Sequence, residues 1–328
     1  MSGVLAHGRR SRRTRTVGVP IYSGIDMLEI LHESARPIDL ASTTAPLRHG
    51  SADPCHRTDA TGAVWRASGL PSGPVTYRLT QVDRFRVRCQ AWGPGAQELA
   101  AGLPGLLGEH DDATSFEPDH PKLVDAHRRH TGLRIPRTGL VMESLVPAIL
   151  EQKVTGLEAL RAWRILVTRH GSIPPGPAPA GMRVPPTAEQ WRFVPSWDFH
   201  RAGVDPKRSR TIVSCARIAA SLEGCAQLSC ADARTRLMSV PGIGEWTAAE
   251  VGQRALGDAD ALSVGDYHLC KVIGWSMLGR PIDDDEMVSY LEPMRPHRHR
   301  VVRLLEVSGQ AVKPRFGPKM TIQDHRGH

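Results

Sequence analysis

The chain has 328 residues, of which 40% are hydrophobic and 5% aromatic, with 31 Gly and 26 Pro. This composition is typical of a loop-rich globular protein of about two domains. It excludes a fibre and a wholly disordered chain, and no apolar run reaches the length of about 18 residues that a membrane span needs. The net charge of +8 is concentrated at both ends, where five Arg lie within residues 1–20 and eight Lys or Arg within 295–328. Such ends suit a polyanion, with nucleic acid favoured, or form a solvated basic surface.

The first third of the chain predicts a leader followed by a small α+β domain. Residues 1–36 are expected to form a flexible basic leader with a short helix around 27–31, and they lack the apolar segment of a secretory signal. Residues 37–135 follow as the α+β domain. Apolar alternation predicts an antiparallel sheet over 63–67, 75–79 and 85–91, and helices are predicted over 96–107 and 123–130.

The remainder predicts an all-α domain over residues 136–312. Apolar side chains recur at helical spacing from Leu157 to Val167 and from Ile212 to Leu222, and again in a late helix around Val301. The proline-rich residues 171–186 are expected to form a surface insertion, and residues 313–328 a basic tail. The six cysteines form no CxxC pair, which favours scattered reduced thiols over zinc or a disulfide framework.

The most informative motif is the sequence PGIG at 241–244 followed by EWTAA. It predicts a tight hairpin between two helices, in which Gly242 and Gly244 let a phosphate approach the backbone closely. The amides at the start of the second helix, with the hydroxyl of Thr247, would bind that phosphate. Contacts of this kind hold the nucleic-acid backbone without selecting a base sequence. The alternative is an ordinary Pro-Gly turn between two helices.

Asp266 follows Gly265 at the point where another helix is predicted to begin. An aspartate at this position is by itself most often a helix N-cap. Its occurrence downstream of the hairpin instead favours a role in chemistry.

Taken together, the hairpin, Trp246-Thr247-Ala248 and Asp266-Tyr267 resemble the helix-hairpin-helix DNA glycosylases, the HhH-GPD superfamily. The branch that they resemble most is bacterial 3-methyladenine DNA glycosylase II. The sequence LVPAILEQKV at 145–154 is similar to the segment that opens the helical domain of that branch. The resemblance extends over about residues 139–308.

The resemblance implies a base-excision-repair enzyme that flips a damaged, alkylated base out of double-stranded DNA and hydrolyses its N-glycosidic bond, leaving an abasic site. Asp266 would stabilise the positive charge that develops on the sugar and orient the attacking water. Bifunctional relatives carry a Schiff-base lysine at the position of Trp246, so a monofunctional enzyme is expected. Trp246 would line the base pocket, or else be a core aromatic.

Further residues are assigned by the same resemblance. Gln152 and Lys153 would contact DNA, with Lys153 either filling the gap left by the flipped base or binding phosphate, and Tyr267 would line the base pocket. A structural Na⁺ or K⁺ would bind three hairpin carbonyls, those of Leu237, Val240 and Gly242. No cysteine follows Cys270, so no iron–sulfur cluster is expected.

Two positions depart from the family pattern, because Glu250 and Glu306 replace pocket aromatics. One hypothesis is that they accept hydrogen bonds from a cationic or amino-bearing base. The alternative is that they pair with Arg298 or Arg303. The basic run at 295–300 would similarly contact phosphate, or else pair with the acids at 283–286.

The competing function is a non-catalytic helix-hairpin-helix module that binds damaged or branched DNA, which would need the glycines but not Asp266. A bifunctional glycosylase/lyase is disfavoured by Trp246. The leading hypothesis predicts a monomer that acts on DNA rather than a membrane, in the bacterial cytoplasm and associated with the nucleoid.

Overall fold

A computed structural model describes residues 27–313 and contains a five-stranded sheet followed by helices. The strands are β1 (Met27–Glu33), β2 (His56–Thr58), β3 (Val64–Leu70), β4 (Gly73–Asp83) and β5 (Arg86–Trp92). Every neighbouring pair is antiparallel, in the spatial order β1-β5-β4-β3-β2. The three predicted strand segments are confirmed as β3, β4 and β5.

The helix predicted around 27–31 is wrong, because these residues form β1. Side chains of β1 are alternately buried and half-buried, with Leu28, Ile30 and His32 facing the core, and the whole strand pairs with β5. This part of the expected leader therefore belongs to the folded sheet. Residues 1–26, the rest of that prediction, lie outside the described residues, as do residues 314–328 of the predicted tail.

Fourteen α-helices are found among residues 27–313. The first seven are α1 (Leu40–Thr44), α2 (Ala96–Leu106), α3 (Pro121–Arg129), α4 (Val141–Leu150), α5 (Gly156–His170), α6 (Ala188–Phe193) and α7 (Ser196–Arg201). The others are α8 (Pro206–Arg217), α9 (Ala219–Glu223), α10 (Cys230–Met238), α11 (Glu245–Val251), α12 (Leu269–Ile273), α13 (Asp284–Leu291) and α14 (Arg298–Val307). A π-helical turn extends α11 through Gly252–Leu256.

The first hydrophobic core lies between the sheet and α2. Leu99 and Leu103 of α2 pack with Val75, Leu79 and Val87 of the strands, and all five side chains are buried. The alternation of the strands and the helical spacing of α2 direct these residues to one shared interior. The α+β part of the fold prediction is therefore confirmed.

The second core is helical and contains α4, α5, α8, α10 and α11. Nine of the ten residues of α4 are buried, so this helix runs through the centre of the cluster. A capping box fixes the start of α5, where Thr155 and Glu158 each accept from the other's backbone amide. Helix α11 packs against α4 in the same core.

A third core joins the segment after the sheet to the end of the chain. Leu123 and Ala126 of α3 pack with Ile273, Met287 and Leu305 of the last three helices. Residues 123–126 precede the boundary predicted at 135, yet their packing partners lie beyond residue 260. The two domain ranges proposed from the sequence stay predictions.

The proline-rich segment at 171–186 is partly enclosed rather than lying only on the surface. Met182 and Val184 are 1% and 2% exposed and pack against Ala67 of β3. A bridge between Ser172 and Val184 closes the segment on itself. Within residues 27–313, no helix has the length and apolar character needed to cross a membrane.

Candidate active site

The predicted hairpin lies between α10 and α11, with its glycines exposed. Gly242 has a φ of +93°, and a Cβ added there would lie 2.6 Å from Oγ1 of Thr211. Both the backbone angle and the packing therefore require glycine. Gly244 has extended backbone, and a Cβ there would meet no described protein atom within 4 Å. The folded protein alone does not explain glycine at 244, whereas a ligand approaching the backbone would.

Gln152 attaches the chain after α4 to this hairpin. Its Nε2 donates to the carbonyl of Gly242 at 3.0 Å and to Oγ1 of Thr247 at 2.9 Å, which uses both donors of the amide. Thr247 is 2% exposed, so the predicted contact of its hydroxyl with phosphate is wrong. The first turn of α11 directs this side chain inward, where it helps to position Gln152.

Lys153 combines an exposed side chain with a strained backbone. Its φ of +56° is the one positive value at a residue other than glycine within 27–313. Such a conformation costs about 1 kcal/mol unless neighbouring contacts impose it. Here the chain before Lys153 is fixed by the hydrogen bonds of Gln152, and the chain after it is fixed by the capping box of Thr155. The result is an exposed cation next to the hairpin, although its contact with DNA stays a prediction.

Asp266 is half-buried in the turn before α12. Its Oδ1 accepts hydrogen bonds from the backbone amides of His268 at 2.8 Å and Leu269 at 2.9 Å. Its Oδ2 accepts from Nε1 of Trp246 at 3.3 Å. The two roles considered for Asp266 from sequence, a helix cap and a group for chemistry, are thus compatible. One oxygen caps the helix, and the other faces α11.

The two predicted pocket aromatics differ in their relation to Asp266. Trp246 is half-buried and orients the carboxylate through its indole N–H. Tyr267 is 65% exposed, and Nζ of Lys271 lies 4.0 Å from the centre of its ring. The structure places Tyr267 at the rim of the site and not within an enclosed base pocket.

Glu250 and Glu306 both have protein partners. Glu250 pairs with Arg254, at 2.7 Å between Oε2 and Nη1, and accepts from the hydroxyl of Ser263 at 2.6 Å. Glu306 is exposed and pairs with Arg303 at 2.5 Å. The alternative of pairing with Arg303 therefore describes Glu306, whereas the partner of Glu250 is a residue that the sequence analysis did not consider.

Residues 297–300 of the basic run face the interior, whereas Arg295 is exposed. Arg298 is 6% exposed and pairs with Asp260, while Arg300 is 2% exposed and pairs with Asp111. Arg295 also pairs with Asp260. A contact of Arg298 or Arg300 with phosphate is thus contradicted, and the expected partners at 283–286 are replaced by acids from two other segments.

Glu151 and Arg254 are site residues that the sequence analysis missed. Glu151 ends α4 directly before Gln152, and its side chain is 28% exposed. Burial and the charges of Glu250 and Asp266 raise its pKa to about 7, against the opposing effect of Arg254. The sequence did contain a signal for Glu151. An acid at the carboxyl end of an otherwise apolar helix is disfavoured by the helix dipole, so its presence there points to another role.

Each of the three carbonyls predicted to hold a cation accepts a hydrogen bond from the protein. Leu237 O accepts from Val240 N at 3.1 Å, Val240 O accepts from Ile243 N at 3.0 Å, and Gly242 O accepts from Gln152. A carbonyl oxygen has two lone pairs and can therefore accept a hydrogen bond and still bind a cation. The monovalent cation stays a prediction.

A large cavity is separate from these residues. It has a volume of about 780 Å³ and lies between the sheet, α4 and α6, with Trp163 and Trp191 among its lining residues. Neither the hairpin nor the turn of Asp266 contributes to it.

This arrangement of sheet, helices and hairpin is found in solved DNA glycosylases. A 3-methyladenine DNA glycosylase from Archaeoglobus fulgidus matches with a TM-score of 0.69 and 18% identity, over 84% of this chain and 96% of that one. The 8-oxoguanine glycosylase/lyase of Clostridium acetobutylicum gives 0.64 and 12% identity, over 87% and 96%. The chain has the helix-hairpin-helix DNA glycosylase fold. At these identities the likeness establishes the fold alone.

A sequence relative also bears a DNA repair name. A probable bifunctional transcriptional activator/DNA repair enzyme AlkA from Mycobacterium tuberculosis is 29% identical over 197 residues, 57% of this chain and 36% of the relative. The chain thus matches about a third of that protein's length. No protein-family model matches the chain. Within the helix-hairpin-helix glycosylase fold, the assignment of individual residues rests on the geometry described above.

Proposed function

We propose that this protein is a monofunctional DNA glycosylase that removes damaged, alkylated bases from double-stranded DNA and leaves an abasic site. The observation that carries the proposal is the position of Asp266. One oxygen of this carboxylate is fixed by two backbone amides, and the other lies 3.3 Å from Nε1 of Trp246, beside the exposed hairpin. A fixed carboxylate at an open, half-buried position suits the stabilisation of a positively charged sugar.

In this proposal the hairpin binds the DNA backbone. Gly244 leaves open space above the backbone, and the amides that begin α11 are suited to a phosphate. Gln152 holds the hairpin through Gly242 and Thr247, so its effect on DNA is one of positioning. Lys153, next to it, would enter the gap left by the flipped nucleotide or bind a neighbouring phosphate.

The reaction is a hydrolysis. As the bond between C1′ and the base breaks, its electron pair leaves with the base, and the negative charge of Asp266 stabilises the oxocarbenium-like sugar. Water then adds to C1′, and its proton passes to Asp266 and on to solvent. Trp246 offers no amine for a Schiff base, which supports an enzyme that does not cut the DNA backbone.

The choice of an alkylated base rests on resemblance. The relative from Mycobacterium tuberculosis is named as a DNA repair enzyme AlkA, and one structural neighbour is named as a 3-methyladenine DNA glycosylase. Another neighbour is named as an 8-oxoguanine glycosylase/lyase, so the fold serves more than one lesion. We include in the proposal a structural Na⁺ or K⁺ at the hairpin, no iron–sulfur cluster, a monomeric state and a place at the bacterial nucleoid.

Base release from methylated duplex DNA tests the proposal, comparing wild type with Asp266→Asn. The variant keeps an oxygen to accept the two backbone amides but loses the charge, so release should fall at least about a hundredfold. DNA binding, measured by fluorescence anisotropy, should stay within about twofold of wild type.

Two other results would contradict this proposal. If both proteins bind the duplex and neither releases a base from methylated, deaminated or oxidised DNA, the non-catalytic binding module is the better account. If the wild type nicks the strand at the lesion without alkali, the enzyme is bifunctional and the argument from Trp246 is wrong.

A further inference from the structure

Glu151 is the carboxyl group of the site that lacks a close partner. Glu250 has an ion pair and a hydroxyl donor, and Asp266 has three donors. Among residues 27–313, the side-chain partner found for Glu151 is His49. Nδ1 of His49 lies 3.9 Å from Oε1, and this distance is too long for a hydrogen bond. This carboxyl is therefore available to a ligand.

The surroundings of Glu151 keep a substantial fraction of its carboxyl protonated near neutral pH. Four titratable or charged groups face it: His49 after α1, Glu250 and Arg254 on the helix that begins with α11, and Asp266 before α12. Burial, together with the nearby Arg254, lowers the pKa of His49 well below its usual value, so this imidazole is neutral and offers no counter-charge. The carboxyl of Glu151 consequently has a pKa of about 7.

The position of Glu151 relative to the hairpin is fixed by its neighbour. Gln152 is hydrogen-bonded to Gly242 and Thr247, and α4 is held in the core by its buried residues. Glu151 therefore lies on a rigid support next to the hairpin, and Asp266 is near enough for its charge to act on the Glu151 carboxyl. A base extruded towards Asp266 would come close to this partly exposed carboxyl.

We propose that Glu151 is the general acid of the site and donates its proton to the departing base. This inference rests on the proposed glycosylase function and extends it to neutral damaged purines. A base with a fixed positive charge leaves as a neutral molecule, whereas a neutral base leaves as an anion unless a ring nitrogen is protonated. The proton moves from the Glu151 carboxyl to that nitrogen as the glycosidic electron pair moves to the base.

The cycle balances without a further reactant. Water supplies hydroxide to C1′ and a proton to solvent by way of Asp266, and solvent returns a proton to Glu151. The acid is present below a pH of about 7 and is lost above it, because the carboxyl is then ionised. Release of a neutral base should accordingly decrease as the pH rises through this value.

The test measures single-turnover base release from two duplexes, one containing hypoxanthine as the neutral base and one containing N7-methylguanine as the cationic base. Wild type and Glu151→Gln are compared from about pH 5.5 to about pH 8.5. Glu151→Gln should release hypoxanthine about a hundredfold more slowly at about pH 6, with little pH dependence, since general acids contribute this much or more. Release of N7-methylguanine should change by no more than about twofold.

The matched control is Glu189→Gln, the same change at an exposed residue of α6. It should leave both rates and both pH profiles unchanged. The inference is overturned if Glu151→Gln slows both bases equally, if it slows neither, or if the wild type releases N7-methylguanine but no hypoxanthine. In each of these cases the glycosylase function stands. Release of neither base by the wild type would instead remove the proposed function.

Discussion

Two glycines of one hairpin serve different purposes. Gly242 is required by the folded chain, since its φ is +93° and Thr211 leaves no room for a Cβ. Gly244 has backbone angles that other residues adopt and open space around it. The sequence motif alone assigns both residues to phosphate binding, whereas the coordinates separate a residue needed for the fold from one that only a ligand explains.

Alanine substitutions distinguish these two purposes. Gly242→Ala should lower the free energy of unfolding by about 2 kcal/mol, because of the strained φ and the contact with Thr211. Gly244→Ala should lower it by less than about 1 kcal/mol but weaken DNA binding, since the new methyl group lies where the phosphate approaches. Urea denaturation and fluorescence anisotropy measure the two effects. Equal effects of the two substitutions on stability would contradict the assignment.

The turn between α4 and α5 is the element on which the site depends most. It contains Glu151, Gln152 and Lys153 in succession, with the carboxyl 3.9 Å from His49, the amide on the hairpin and the ammonium exposed. Leu157, predicted to face the core from α5, is 68% exposed near the same turn. Helical spacing could not show this, because it does not tell which turns of a helix are covered by other elements.

Replacing Lys153 with glycine tests whether the strain at this turn serves DNA binding. Glycine adopts a φ of +56° without strain, so Lys153→Gly should unfold no more easily than wild type despite the added chain entropy. Its DNA affinity should fall, and the slope of log affinity against log salt should decrease by about one unit if Lys153 binds a phosphate. An unchanged slope with slower base release would instead indicate that Lys153 fills the gap left by the flipped base. Unchanged affinity and unchanged release would remove Lys153 from the interface.

The parts of the site that could be predicted from sequence are those held by neighbours along the chain. The hairpin needs only the PGIG turn and its flanking helices, and Asp266 is fixed by amides two and three residues later. The partners of Glu250 and the basic run could not be predicted in this way. Glu250 contacts Ser263, and Arg298 contacts Asp260, only because the chain turns back between these segments.

At the scale of the whole molecule, the same distinction explains which features of the fold local sequence does not determine. The segment 27–31 has Leu28 and Leu31 at helical spacing as well as Leu28 and Ile30 in alternation, and pairing with β5 decides between them. Similarly, α3 has an apolar face that suits either core, and its contacts with α14 become available only after the chain has been completed. Long-range packing, rather than local propensity, determines both outcomes.

The buried pair of Asp111 and Arg300 connects the segment after the sheet to the last helix. The residues are 189 positions apart, both side chains are 2% exposed, and Asp111 also accepts from the amide of Ile135 at 3.0 Å. Removing one partner leaves the other charge buried and unpaired. Asp111→Ala should therefore lower the free energy of unfolding by about 3 kcal/mol or more in urea denaturation.

A double substitution shows whether this loss comes from the unpaired charge or from the connection itself. Asp111→Ala combined with Arg300→Met removes both charges and replaces the guanidinium with an apolar side chain. If the charge is the cause, the double variant should recover much of the stability lost in Asp111→Ala, because apolar replacements of buried pairs are often neutral. If the double variant is as unstable as the single one, the hydrogen bond from Ile135 to Asp111, and not the ion pair, holds the segment.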